Sequence, residues 1–338
     1  MNKKHIILAV FLGLSVIAYL LYKDFDSLSF SGLHFSRQMV IGILLAIGCF
    51  ICQNASMTWR YRLLTEQYLS WRQAFRVNIL CEFTSAITPS SVGGSGLIFL
   101  YLYKEGMNAG RSTAIMIAAL FLDELFLCLS CLTVICLVPF NSLFGETAPI
   151  TAGVKWLFFL IVAAVALWTV LLYIALFHRP QWVKSMLLAL FSLPLLRRRK
   201  EKMQILTNDL VTGSQEISRH GFRFWLSPFL ATASAWCFRY AIVNALLFAF
   251  TSGGNQALAF ARQWVLWMIS IISPTPGGSG VNEYMFKIYY ADFFPGIGTT
   301  LLVALVWRLI TYYSYLIAGV LIVPRWLKNK SHVGITQT

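Results

Sequence analysis

The chain has 338 residues, of which 58% are hydrophobic and 12% charged, with 27 Lys and Arg against 13 Asp and Glu. So little charge cannot cover the surface of a soluble domain of this size, which excludes water-soluble enzymes and binding modules and makes lipid the relevant solvent. The basic excess points either to nucleic acid or to a membrane surface, and its placement along the chain favours the membrane.

Taken in chain order, the first apolar run is 5–22 (HIILAVFLGLSVIAYLLY), just after Lys3 and Lys4. A bilayer-crossing helix needs about 20 apolar residues. No small-residue cleavage site follows this run, so it reads as a retained anchor helix. The next span is 39–58, and 59–76 then carries four Lys and Arg. The stretch 77–103 is apolar but is interrupted at 88–96 by TPSSVGGSG. Spans at 113–138 and 154–177 flank 139–153, which has no basic residue. Residues 178–223 carry nine, including Arg197 to Lys200, and within them WVKSMLLALF (182–191) reads as a helix lying in the interface. A span at 224–250 precedes a second broken stretch, 258–290, centred on SPTPGGSG at 273–280. A last span at 297–323 leads into a tail with three basic residues.

The two breaks share Gly-Gly-Ser-Gly, at Gly93–Gly96 and Gly277–Gly280, a faint internal repeat. Each broken stretch either crosses once as a kinked helix or enters and returns. If both crossed once, the nine-charge loop would face outward, against the rule that basic loops stay in the cytoplasm. If both return, inside segments hold 20 of the 27 basic residues. The expected fold is therefore all-α and polytopic. It has about six full transmembrane helices and two re-entrant helical hairpins of opposite orientation, related as inverted repeats, with both termini cytoplasmic. The chain is a single membrane domain: 1–38 anchor helix and outer loop, 39–177 first half with hairpin 77–103, 178–223 basic loop, 224–323 second half with hairpin 258–290, 324–338 tail.

Pro89, Gly93, Gly94 and Gly96 in one break, and Pro274, Pro276, Gly277, Gly278 and Gly280 in the other, stop a helix at depth and reverse it. Such backbone persists in a membrane only where protein or a watery cavity covers it. The second arm of each hairpin then offers free N–H groups to an anion, and Ser90, Ser91, Ser95, Thr275 and Ser279 add hydroxyls. The breaks could equally be packing turns between helices.

Asp123, Glu124, Arg239 and Arg308 lie inside apolar spans, where facing lipid would be costly, so each is expected to face the interior and find a partner. They read as a central polar cluster, either functional or a static ion network. Glu283 opens the second arm after Gly280. It either favours a helix N-terminus or meets a cationic group entering from outside.

The seven cysteines lie in or beside apolar runs. Cys49-x-x-Cys52 and Cys128-x-x-Cys131 read as packing residues, since no histidine is near either pair. No metal-ligand spacing, nucleophile elbow or phosphate-binding loop is present, so no catalytic residue, metal or cofactor is expected.

The segments ITPSSVGGSGLIFLYLYKEGMNAGRSTAI (87–115), SPTPGGSGVNEYMF (273–286) and ALVWRLITYYSYLIAG (304–319) resemble the lysylphosphatidylglycerol synthetase transmembrane-region family of flippase-like integral membrane proteins. Matching positions are Pro89, Gly93, Gly94, Pro274, Pro276, Gly277, Gly278, Gly280, Glu283, Asp123 and Arg308. The resemblance implies a prokaryotic inner-membrane protein that handles lipid. The chain ends about 15 residues after its last span, so aminoacyl transfer by a separate soluble domain is not expected of it. The leading expectation is a stand-alone flippase or transporter that moves a phospholipid or related polar lipid, anionic or zwitterionic, between leaflets. Asp123, Glu124, Arg239, Arg308, Glu283, Ser91, Ser95 and Ser279 would line its path. The alternative is a non-transporting lipid-binding partner of a glycosyltransferase or lipid-modifying enzyme. A homo-oligomer or a lipid-synthesis enzyme is the expected partner, and nucleic acid is not.

Overall fold

The computed structural model describes residues 36–88, 94–139, 142–143, 152–190, 208, 211–251 and 253–328. The expected anchor helix 5–22, most of the loop 139–153, the basic run 197–200, the end of the tail, and Pro89, Ser90, Ser91 and Gly93 lie outside these residues. No strand occurs among the described residues. Polar side chains start the principal helices. Ser36 accepts from the Met39 N–H at 3.1 Å to open α1 (Arg37–Leu64). Ser70 and Gln73 cap α2 (Trp71–Ile87) reciprocally. Asn108 accepts from the Arg111 N–H at 2.7 Å to open α4 (Ala109–Leu137). Each such cap satisfies donors that the first helical turn leaves free.

Between α2 and α4 lies a short returning arm, a 3-10 turn at Ser95–Leu97 that continues into α3 (Ile98–Lys104). After α4 come α5 (Ala152–Tyr173), which ends in a π turn at Ile174–His178, α6 (Pro180–Leu190) and α7 (211–218). The second half comprises α8 (Phe222–Phe250), α9 (Gln256–Ile271), α10 (Val281–Tyr289) and α11 (Ile297–Arg308). A π turn at Leu309–Tyr313 joins α11 to α12 (Ser314–Lys328). Five helical stretches among the described residues are long and apolar enough to cross a membrane: Arg37–Leu64, Ala109–Leu137, Phe158–His178, Phe222–Phe250 and Ile297–Pro324. Leu44, Ile51, Leu132, Leu160 and Leu167 stand exposed on three of them, a surface suited to hydrocarbon and not to water.

The helix boundaries depart from the sequence reading at one place that matters for the site. The basic segment 59–76 is not a loop. α1 runs on through Arg60 and Arg62 to Leu64, and α2 has already begun at Trp71. Helix backbone satisfies its own hydrogen bonds whatever its side chains are, and Arg60 finds a buried partner, so nothing ends the helix at the first charge.

α1 and α8 run antiparallel and pack along most of their length. The seam is closest near Gly42, where an added methyl would lie 2.5 Å from the Ala249 Cβ and 2.8 Å from the Ala245 carbonyl oxygen. At the same end, the Gln38 side chain donates to the Phe248 and Thr251 carbonyls at 2.7 and 2.8 Å. Each broken stretch folds as an antiparallel pair of arms. In the first, the Arg76 guanidinium on α2 meets Glu105 just after α3 through two bonds of 2.7 and 2.6 Å, and the Gly94 N–H donates to Ser85 Oγ at 3.0 Å. In the second, Arg262 on α9 donates to the Tyr289 carbonyl and to Asp292, both at 2.5 Å, and Gln263 reaches the Tyr290 hydroxyl at 3.2 Å. Both pairs of arms are thus latched near their base by an arginine and an acid. Each also has its own apolar core. Leu80, Leu102, Ala118 and Leu122 pack around the first, and Trp264, Phe286, Trp307 and Leu246 around the second.

Candidate functional site

The two breaks meet. The Gly277 N–H donates to the Thr88 carbonyl at 3.1 Å, and the Tyr312 hydroxyl donates to the Ala86 carbonyl at 3.2 Å. Gly277, Gly278 and Gly280 all have left-handed φ, of +56°, +69° and +85°. At Gly277 glycine is also required by space, since a Cβ would come within 2.4 Å of the Tyr312 ring and 2.9 Å of the Ala86 carbonyl oxygen. The tetrad therefore makes a turn tight enough for one hairpin tip to touch the other.

Around these tips sit three ion pairs, each joining two different helices. Arg308, at the end of α11, donates from Nε to Glu283 at 2.8 Å and from Nη2 to the Gly277 carbonyl at 3.1 Å and to Ser279 Oγ at 3.3 Å. Its guanidinium lies 4.1 Å from the centre of the Tyr312 ring. Glu283 also accepts from the Gly280 N–H at 2.7 Å, so it caps α10 and holds Arg308 at once. The π turn begins at the next residue; such turns are frequent where a helix carries a functional group.

The second pair is Arg239 on α8 with Glu82 on α2, in direct contact. The guanidinium packs against the edge-to-face pair of Trp236 and Trp267, 5.1 and 5.2 Å from their ring centres. The Gln53 carboxamide oxygen accepts from Arg239 Nε at 3.0 Å and Nη2 at 2.9 Å, and from the Tyr315 hydroxyl at 3.1 Å. The third pair is Arg60 on α1 with Asp123 on α4, 2.6 Å apart, where Asp123 also accepts from the Trp236 indole at 2.9 Å.

Two cavities adjoin these pairs. One is lined by Arg239, Arg308, Gln263, Thr311 and Tyr312 among others. The other lies further along α1 toward Leu64 and is lined by Arg60, Asp123, Glu124, Asn78 and Ser95 among others. Glu82, Ser85, Arg239 and Trp267 line both. The Glu82–Arg239 pair therefore forms part of the partition between the Arg308 cavity and the Arg60 cavity.

Not all the predicted polar residues are neighbours. Asp123, Glu124 and Arg239 share the Arg60 cavity, whereas Arg239 and Arg308 share the other. Asp123 and Arg308, expected in one central cluster, pair with separate partners. Ser279 touches Arg308 and Ser95 lines the Arg60 cavity. Gly94 packs so tightly that a methyl there would sit 1.9 Å from the Cys81 carbonyl oxygen, whereas Gly96 has open space around it. Pro276 accepts from the Ser279 N–H at 3.0 Å within the turn, and Pro274 is exposed at its edge. Ser91, Pro89 and Gly93 lie outside the described residues.

Sequence reasoning missed Arg60 and Glu82 as site residues. Arg60 lies in the basic segment just after an apolar run, and Glu82 lies in the arm that leads to the first glycine tetrad. The available signal was that each buried cation at depth needs an acid, and Glu82 is the one acid in WRQAFRVNILCEFTSAI.

The family model for the lysylphosphatidylglycerol synthase TM region matches residues 6–319. A protein named UPF0104 membrane protein from Archaeoglobus fulgidus is 26% identical over 307 residues, covering 85% of this chain and 90% of that protein. The helices, their lipid-suited faces and this match agree: the chain is a multi-pass membrane protein that belongs to the family of the lysylphosphatidylglycerol synthase transmembrane region.

Proposed function

We propose that the protein is a lipid flippase or transporter, which moves the polar head of a phospholipid or related lipid between leaflets while the acyl chains stay in the bilayer. The observation that carries this reading is the pair of cavities with buried ion pairs in their walls, one beyond the other along α1, divided by the Glu82–Arg239 ion pair. A head group leaving water loses hydration worth several kcal/mol, which only charged and hydrogen-bonding walls can offset. Arg239 and Arg308 offer such walls to a phosphate, because guanidinium forks match its oxygens.

The two hairpins, on this reading, are re-entrant and related as inverted repeats, and the membrane is the prokaryotic inner membrane. The charge pattern places the Leu64 end of α1 in the cytoplasm. The Arg60 cavity then lies toward the cytoplasm and the Arg308 cavity toward the outside. Passage requires Arg239 to release Glu82 and take the head group in its place. The reading assigns the chain no covalent chemistry.

The test uses purified protein in vesicles with a fluorescent phospholipid in one leaflet. Leaflet exchange by the wild type and its loss in Arg239→Gln support transport. Exchange no faster than in empty vesicles, together with lipid retained by the purified protein, supports a non-transporting lipid-binding partner of a lipid-modifying enzyme.

A further inference from the structure

The Arg60 cavity does not balance its charges. Its lining holds two cations, Arg60 and Arg239, and three acids, Glu82, Asp123 and Glu124. Arg60 is taken by Asp123 and Arg239 by Glu82. That leaves Glu124. It is 8% exposed, and its Oε2 has no hydrogen-bond partner among the described residues. The ionisable groups facing it across the cavity are Arg60 and Tyr61 from α1, Cys81 and Glu82 from α2, and Arg239 from α8, with Asp123 beside it on α4; Tyr240, also on α8, lies within electrostatic reach of it. α5, packed on another side of α4, places no ionisable group in this lining. Neither arginine donates to Glu124: Arg60 bonds Asp123 and Arg239 bonds Glu82.

An uncompensated carboxylate at such a depth costs several kcal/mol, and the usual relief is to take a proton. We infer that Glu124 is a proton-binding site. It takes a proton from water entering the Arg60 cavity, holds it as a neutral carboxylic acid whose O–H points into the cavity, and returns it to the same water. Asp123, one residue away, accepts from both Arg60 and the Trp236 indole. The two adjacent acids thus differ in the partners they have. A link between this proton and lipid movement rests on the transport reading above; the proton site itself does not.

The test is chemical labelling of the full-length protein in vesicles of phosphatidylethanolamine and phosphatidylglycerol. Dicyclohexylcarbodiimide forms a stable N-acylurea with a protonated carboxyl in apolar surroundings, and peptide mass spectrometry locates the adduct. Across a series from mildly acidic to mildly basic pH, the adduct on Glu124 is expected to fall by about tenfold as the acid ionises. Asp123 stays unlabelled, and Glu124→Gln, close in shape, carries no adduct at that position. No adduct on Glu124 at any pH, an adduct independent of pH, or equal labelling of Asp123 overturns the inference. Labelling without lipid exchange retires the transport reading and keeps the proton site, whereas exchange without labelling does the reverse.

Discussion

The Gly277 N–H donates to the Thr88 carbonyl, so the two helix breaks, far apart in the chain, close on each other at the centre of the protein. The contact needs a residue at position 277 with φ of +56° and no side chain. Gly277→Ala should therefore lower stability by about 2–4 kcal/mol, from left-handed strain added to the collision with Tyr312. The measurement is the thermal unfolding midpoint in detergent. Gly96→Ala is the control: open space surrounds it, and its midpoint should barely move.

Arg308 is held by one carboxylate, one carbonyl and one hydroxyl. Arg308→Ala strands Glu283, which is 1% exposed, with no cation beside it. Breaking a buried pair this way costs about 3–5 kcal/mol. Arg308→Lys should recover little, because one ammonium cannot reproduce the fork that reaches Glu283 and Ser279 together. Arg308→Ala with Glu283→Ala should lose less than the two single losses added, a double-mutant cycle read by unfolding midpoints. Simple additivity would count against the pair as a unit.

Glu82 and Arg239 divide the two cavities, and each is part-exposed to them, with side-chain exposures of 18% and 16%. Glu82→Gln or Arg239→Gln alone should cost about 1–3 kcal/mol and slow leaflet exchange. The exchanged pair, Glu82→Arg with Arg239→Glu, keeps the charges and should regain part of the stability. Recovered stability without recovered exchange would show that the guanidinium must sit on α8, against Trp236 and Trp267, to act.

Much of this was legible in advance, and the omissions have physical causes. Apolar length marked the spans, since lipid demands it. The second glycine tetrad marked a tight turn, since only glycine adopts the φ values seen at 277, 278 and 280 at little cost. Arg308 and Glu283 stood out as charges in apolar text. Arg60 did not, because a basic residue at the end of an apolar run is usually in the headgroup region. Here it is 2% exposed and paired with a residue on another helix. The partners of Arg239 and Asp123 were not legible either. Spacing from a shared motif gives depth along a helix but not the direction a side chain takes around it.

Orientation has a direct check. In a variant without native cysteines, Ser95→Cys lies in the Arg60 cavity and Thr311→Cys in the Arg308 cavity. A membrane-impermeant thiol reagent should reach Ser95→Cys only from the cytoplasmic side and Thr311→Cys only from outside. Reaction of both from one face would reverse or abolish the proposed arrangement of the two cavities.

The contact at Gly42 bears on what can move. With Ala249 pressed against it and Gln38 bonded across the same end, α1 and α8 behave as a keel, clamped where the chain is least able to yield. Rocking one half of the molecule as a rigid block against the other would have to prise that clamp open. Swinging the short arms would leave it shut, so on the proposed transport reading the movement is expected of the arms latched by the Arg76–Glu105 and Arg262–Asp292 bridges.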